Sequence, residues 1–81
     1  MTTEITTTAE ITVKKVTLKY KDTTHFGNPI ITLIAYDARV VINKWGIYVQ
    51  GFSKTVRPLV KVETPYMIDW NDVLSYTSKP Y

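Results

Sequence analysis

The chain has 81 residues, no cysteine, one histidine and a formal net charge of +3. This length holds one small domain, and the composition excludes disulfides and thiolate metal sites. A single histidine also argues against a structural zinc site, so we expect neither a metal nor a cofactor.

The sequence contains no segment that predicts membrane insertion or export. The longest apolar run, Ile30 to Tyr36, is much shorter than the roughly 20 residues of a membrane-spanning helix. The N-terminal residues have neither the basic start nor the apolar core of a signal peptide. We therefore predict a cytoplasmic protein with no membrane partner, in the host cytoplasm if the protein is viral.

Charge is distributed unevenly along the chain. Residues 14–61 carry nine cations and two anions, whereas the flanking segments carry five anions and one cation. Such asymmetry predicts an anion-binding surface or head-to-tail contacts between subunits. An ordinary solvated exterior explains it equally well, so the charge distribution alone does not decide.

The composition predicts a mostly β protein. Val, Ile and Thr account for 30 of the 81 residues, and their branched side chains favour the pleated sheet over the helix. Residues 1–8 are rich in Thr, and we interpret them as an arm that is flexible or ordered by a partner. Residues 9–81 are predicted to form the folded domain.

The first predicted strand changes face near its middle. Apolar residues occupy odd positions at Ile11 and Val13, and even positions at Val16, Leu18 and Tyr20. Because the side chains of a strand alternate between its two faces, this shift predicts a bulge or a bend, as in small barrels.

The middle of the chain predicts a loop, a buried strand and a hairpin. A loop over residues 21–29 precedes the apolar run 30–36, which is typical of a central strand buried on both faces. Residues 36–38 are expected to reverse the chain. Strands over 39–43 and 47–52 then flank a turn in which Gly46 is expected to take a positive φ.

The last part of the chain predicts an edge strand and one helix. Pro58 cannot donate a backbone hydrogen bond, so the strand over residues 56–62 is expected to lie at an edge or to begin after the proline. Asp69 is placed to cap a short helix, whose inward side chains are expected to be Val73, Leu74 and Tyr76. The complete pattern predicts five or six short strands in a bent antiparallel sheet or barrel, of SH3-like or OB-like size, with one short C-terminal helix.

Residues suited to catalysis are few. His25 lies in the predicted loop, where simple exposure explains it, and helix capping explains the Asp69 and Asp72 pair as well as a hard-cation site would. The three glycines do not have the spacing of a nucleotide-binding fingerprint. We therefore predict a protein that is not an enzyme, without catalytic residues or a small-molecule substrate.

The aromatic residues predict a binding surface. Trp45 lies in the predicted turn, where little core is available to it, whereas Tyr36, Trp70 and Tyr76 are expected inside. An exposed aromatic ring beside cations stacks on a base in single-strand binders, or acts as a hot spot in a protein interface. The predicted binding residues are Trp45, Lys44, Tyr48, Arg39, Arg57, Lys15, Lys19 and Lys21.

Two hypotheses for function follow. The first, favoured by the thin core and the Thr-rich arm, is a non-enzymatic protein-interaction or assembly module. Such a module would bind itself or a host or structural protein, as a small viral or mobile-element protein does. The alternative is a β-barrel that binds single-stranded nucleic acid through a basic, aromatic surface, for which +3 is a modest charge.

Overall fold

The computed structural model describes residues 8–53 and 60–81. Its strands are β1 Ala9–Lys21, β2 Ile30–Ile42, β3 Gly46–Phe52, β4 Lys61–Glu63, β5 Ile68–Asp69 and β6 Val73–Lys79, with a single 3-10 turn at Trp70–Asp72. All pairings are antiparallel, in the order β4-β3-β2-β1-β6, and β5 pairs with β3. The predicted mostly β, antiparallel sheet is confirmed, although β1 and β2 are long strands of 13 residues each.

Some predictions fall outside the described ranges. The structure describes only Thr8 of the predicted arm, as an exposed residue without secondary structure. Arg57 and Pro58 also lie outside these ranges.

The predicted change of face in β1 is confirmed, and β2 changes face at the paired position. Val13 and Val16 are three residues apart and both are buried. Their partners across the ladder are Ala38 and Ala35, which are also buried. Each strand therefore turns two consecutive residues outward at the same level, Lys14 and Lys15 in β1 and Tyr36 and Asp37 in β2.

A β-bulge accompanies this change in β2. Tyr36 pairs with Phe52 and Arg39 pairs with Gln50, so two residues of β2 face only Gly51 of β3. Asp37 has a φ of 49°, a left-handed conformation that Asp tolerates better than most residues. The predicted chain reversal at 36–38 is wrong, because β2 continues through the bulge to Ile42.

The run 30–36 is not buried on both faces, which corrects a second prediction. Leu33 and Ala35 face the core, whereas Ile30 and Ile34 are exposed on the opposite side. In β2 an apolar run of this length therefore has one solvated face, as antiparallel sheets commonly do.

The C-terminal segment draws the two ends of the bent sheet together. Its first residues pair with β3 through β5, and its last residues pair with β1 through β6. The inward side chains of both halves consequently form a single core. Its members are Val13, Val16, Leu18, Tyr20, Leu33, Ala35, Ala38, Val40, Ile47, Val49 and Ile68.

The predicted C-terminal helix is wrong, although its cap was correctly placed. Asp69 accepts a hydrogen bond from the Asn71 amide at 2.8 Å, but the turn ends at Asp72. Val73 is already extended and pairs with Tyr20 of β1. Strand pairing of a β-branched residue therefore outweighs continuation of the helix, and Leu74 is exposed instead of packed inward.

The predicted hairpin turn between β2 and β3 is confirmed, with a different role for Gly46. The Asn43 side chain accepts hydrogen bonds from the amides of Trp45 and Gly46 at 2.8 and 3.1 Å. Gly46 does not have the expected positive φ. It is needed for space, because a Cβ there would overlap the Ile68 carbonyl group of β5.

Candidate functional site

The outer side of β1, β2 and β6 forms a surface that we call the basic face. It consists of Lys15, Thr17, Lys19 and Lys21 of β1, Ile30, Thr32, Ile34 and Tyr36 of β2, and Ser75, Thr77 and Lys79 of β6. Four of these eleven residues are lysines and none is acidic. The alternation of side chains along β1 puts Lys15, Lys19 and Lys21 on the face opposite the buried Val16 and Leu18.

Cations on this face lie beside one another. Lys15 of β1 is directly opposite Lys79 of β6 in the ladder, and like charges in such cross-strand positions are destabilising. Within the described ranges, none of the four lysines of the basic face forms an ion pair with a carboxylate. The face therefore has unbalanced positive charge that an anionic ligand would stabilise.

A cleft opens at the bend, where the basic face begins. It has a volume of about 340 Å³ and is lined by Lys14, Lys15, Tyr36 and Lys79. The Lys15 ammonium lies 5.7 Å from the centre of the Tyr36 ring, within the range of a cation–π interaction. The change of face in β1 creates the cleft, because it turns two consecutive lysines outward.

The nearest carboxylate in the sequence, Asp37, has a partner of its own. The Tyr81 hydroxyl donates a hydrogen bond of 2.5 Å to Asp37 Oδ1. This bond to a carboxylate raises the pKa of Tyr81 above its ordinary value. Asp37 is thus held by a neutral group and forms no ion pair with the lysines of the cleft.

The outer side of the other half of the sheet has charges that are paired. Arg39 Nε lies 2.9 Å from Glu10 Oε1, and Lys61 Nζ lies 3.9 Å from Glu63 Oε2. The Tyr48 hydroxyl donates to Glu63 at 2.8 Å, which raises the pKa of Tyr48. We call these five residues the paired face, and two of the predicted binding residues, Arg39 and Tyr48, belong to it.

The hairpin tip carries an exposed aromatic pair. Trp45 is 60% exposed, and the Lys44 ammonium lies 4.8 Å from the centre of its ring. Trp70 lies beside it, since its indole Nε1 donates to the Asn43 carbonyl at 2.7 Å and its amide to the Trp45 carbonyl at 3.4 Å. Met67 is also exposed here, next to Gly46.

The loop after β1 contains a histidine–aspartate pair, and its hydrogen bonds indicate a structural role for the aspartate. Asp22 is buried, and it accepts hydrogen bonds from the Thr24 amide, the Thr24 hydroxyl and, at 3.1 Å, the Tyr66 hydroxyl. Its second carboxylate oxygen lies 2.6 Å from His25 Nδ1. The hydrogen bonds, led by that of the Thr24 hydroxyl, lower the pKa of Asp22 to about 2. The cluster ties the loop to the C-terminal segment, while His25 itself is exposed.

The structure therefore divides the predicted binding residues among separate surfaces. Lys15, Lys19 and Lys21 lie on the basic face, Lys44 and Trp45 at the tip, and Arg39 and Tyr48 on the paired face. Arg57 lies outside the described residues.

Sequence reasoning did not assign three residues, Lys79, Trp70 and Tyr36, to these surfaces. Lys79 belongs to the basic face through the pairing of β6 with β1, which no local pattern indicates. Trp70 is 38% exposed, so its expected place in the core is wrong. Tyr36 was also placed inside, but it is half-buried on the outer side, whereas Tyr76 is half-buried against the core.

No family model, curated protein or solved structure matches this chain. In the described ranges, no group of three or more His, Asp or Glu side chains is arranged to hold a metal ion. No helix of these ranges has the length and apolar character to cross a bilayer.

Proposed function

We propose that this chain binds single-stranded nucleic acid across the basic face. The observation that carries the proposal is the grouping of Lys15, Lys19, Lys21 and Lys79 on one side of β1 and β6 with no acidic residue among the outward positions. Sequence reasoning alone favours a protein-interaction module; the grouping of the lysines moves our preference to the alternative hypothesis.

The spacing of the lysines suits a chain of phosphates. Lys15 and Lys21 are six residues apart on one strand, which is a distance of about 20 Å. Lys79 widens this row into the neighbouring strand. A backbone that crosses the face would meet several cations in succession, and release of its counterions would drive binding.

The residues between the lysines suit bases better than a rigid duplex. Ile30 and Ile34 are 49% and 43% exposed on this face, and Tyr36 is at its end. Apolar and aromatic side chains of this kind contact the faces of unstacked bases, which a single strand presents and a duplex conceals.

The test is fluorescence anisotropy with a labelled oligothymidylate of about 20 nucleotides, longer than the roughly 4–16 that an OB fold covers. Four phosphate contacts predict a slope of about −3 in log affinity against log salt, so affinity falls about 50-fold between about 50 and 200 mM. Duplex DNA should bind more weakly. No binding at the lower salt concentration would overturn the proposal.

Matched variants identify the face. Lys19→Gln with Lys21→Gln should reduce the salt slope by about 1.4, because two phosphate contacts are lost. Arg39→Gln with Lys61→Gln removes the same charge from the paired face and should leave the slope unchanged. Equal effects of the two pairs would show that only net charge matters and would refute the assignment to the basic face.

A second candidate function is protein binding through the hairpin tip. Trp45, Trp70 and Met67 are exposed near one another there, and tryptophan is enriched among the residues that dominate protein interfaces. Sedimentation over a range of concentrations tests whether the partner is a second copy of this chain. Self-association that Trp45→Ala abolishes would support the tip as an interface, whereas a monomer at all concentrations excludes the self-association.

A further inference from the structure

We infer that the cleft at the bend binds a terminal phosphate, the phosphomonoester group at the end of a nucleic-acid strand. This inference rests on the proposed function, because it assigns one position of the same basic face. It specifies which part of the ligand lies in the cleft and which direction the strand takes from it.

The charge of the cleft matches a dianion better than a monoanion. Lys14, Lys15 and Lys79 line it together, and none of them has an ion pair with a described carboxylate. A phosphodiester in a strand carries one negative charge, whereas a phosphomonoester carries about −1.5 to −2 at pH 7. Three ammonium groups therefore gain most from a terminal phosphate.

The bend makes this site different from the rest of the basic face. Along β1, the outward Lys19 and Lys21 are separated by the buried Tyr20, whereas Lys14 and Lys15 are consecutive and both outward. Lys79 is directly opposite Lys15. The repulsion that this arrangement produces in the free protein is relieved when an anion lies between the ammonium groups.

The size of the cleft fits a nucleotide end. Its volume of about 340 Å³ is at the lower end of the range of small-molecule sites. It exceeds what a bare phosphate occupies and leaves room for the attached sugar beside the Tyr36 ring.

The position of the other lysines indicates an oligonucleotide instead of an isolated nucleotide. Lys19 and Lys21 continue from Lys15 along β1, away from the cleft. A strand whose terminal phosphate is held at Lys14 and Lys79 would therefore pass over further cations as it leaves. A free nucleotide would use the cleft alone.

Substitution of Asp37 changes the electrostatic potential in the cleft without changing the lysines that line it. The carboxylate adjoins Tyr36 in sequence and is held by Tyr81. Asp37→Asn removes its negative charge, and Asn tolerates the φ of 49° at this position. The variant should bind a terminal phosphate more tightly than the wild-type protein.

The experiment compares oligothymidylates that are identical except for a 5′-phosphate, a 3′-phosphate or no phosphate. For the wild-type protein we expect one phosphorylated form to bind about tenfold more tightly, as one additional charge-assisted contact provides. In Lys14→Gln with Lys79→Gln this preference should fall to about twofold or less. In Lys19→Gln with Lys21→Gln affinity should fall for all three ligands while the preference stays.

Failure of this inference is distinguishable from failure of the proposed function. Equal affinity for the three oligonucleotides would overturn the terminal-phosphate site and leave single-strand binding intact. A parallel NMR titration with thymidine 5′-monophosphate tests the cleft without a strand. Shifts at Lys15, Tyr36 and Lys79 with no oligonucleotide binding would support the cleft and overturn the proposed function, and no response to either ligand would overturn both.

Discussion

The basic face and the paired face are made by the same sheet, but their charges are balanced differently: the first has four lysines and no acidic residue, and the second has two cations and two carboxylates. On the paired face, Glu10 and Glu63 lie within 4 Å of Arg39 and Lys61. On the basic face, the cross-strand neighbour of Lys15 is another lysine, Lys79.

The two surfaces differ in the placement of acidic residues as well as in the number of basic ones. Exposed ion pairs contribute little to stability, so the carboxylates of the paired face are not required for folding. Their effect is to neutralise that surface. The absence of acidic side chains among the outward positions of the basic face leaves a charge that a polyanion would neutralise.

Charge reversal on the basic face should have the largest effect on affinity for oligothymidylate. Lys19→Glu with Lys21→Glu replaces two attractive contacts by two repulsive ones, and we expect affinity for oligothymidylate to fall by about 100-fold or more in about 50 mM salt. Arg39→Glu with Lys61→Glu makes the same change in net charge on the paired face. That variant should lose less than about tenfold, through long-range repulsion alone. Anisotropy measures both, and similar losses would contradict the account.

The bend that separates the two faces depends on Gly51. A Cβ at this position would lie 2.9 Å from the Ala35 Cβ and from the Tyr36 carbonyl oxygen. Gly51→Ala should therefore lower the free energy of unfolding by about 2 kcal/mol, as overpacking does. Urea denaturation measures the loss. An unchanged midpoint would show that the bulge in β2 does not require glycine opposite it.

The pattern of β1 shows how much of this arrangement local sequence contains. The change from odd to even apolar positions between Val13 and Val16 predicted the change of face correctly, and the same alternation puts Lys15, Lys19 and Lys21 on one face. Both conclusions need only the alternation of side chains along one strand.

The missed features depend on contacts between distant parts of the chain. Lys79 completes the basic face only because β6 pairs with β1, and the same pairing makes Val73 extended instead of helical. Trp70 is drawn to the hairpin tip by its hydrogen bond to Asn43, which is 27 residues earlier in the chain. Local capping and apolar patterns carry no information about such partners.

Asp22 should stabilise the half of the sheet that carries the basic face, because it anchors the end of β1 next to Lys21. Its folded pKa of about 2 is below the ordinary value of 3.8. Its stabilising effect is therefore complete above about pH 4 and is lost as the pH falls towards 2. Asp22→Asn should melt several degrees lower at pH 7, and the difference from the wild-type protein should shrink between pH 4 and 2. A difference that is constant with pH would contradict this role.

Substitution of Tyr76 should have the smallest effect on stability. Tyr76 lies on the inner side of the half of the sheet that carries the basic face. Its hydroxyl is buried and has no hydrogen-bond partner in the part of the chain that the structure describes. Tyr76→Phe should leave stability unchanged or raise it by about 1 kcal/mol. Tyr66→Phe is the matched control, since the Tyr66 hydroxyl donates to Asp22 and its loss should destabilise the protein. A marked loss of stability in Tyr76→Phe would contradict the expectation.

The most direct test of the central claim is an NMR titration of the ¹⁵N-labelled protein with unlabelled oligothymidylate. The account predicts that the largest amide shift changes occur in Lys15–Lys21 of β1 and Ser75–Lys79 of β6, while Arg39, Tyr48 and Glu63 change little. Largest changes at Trp45 and Trp70, or on the paired face, would contradict the assignment of nucleic-acid binding to the basic face.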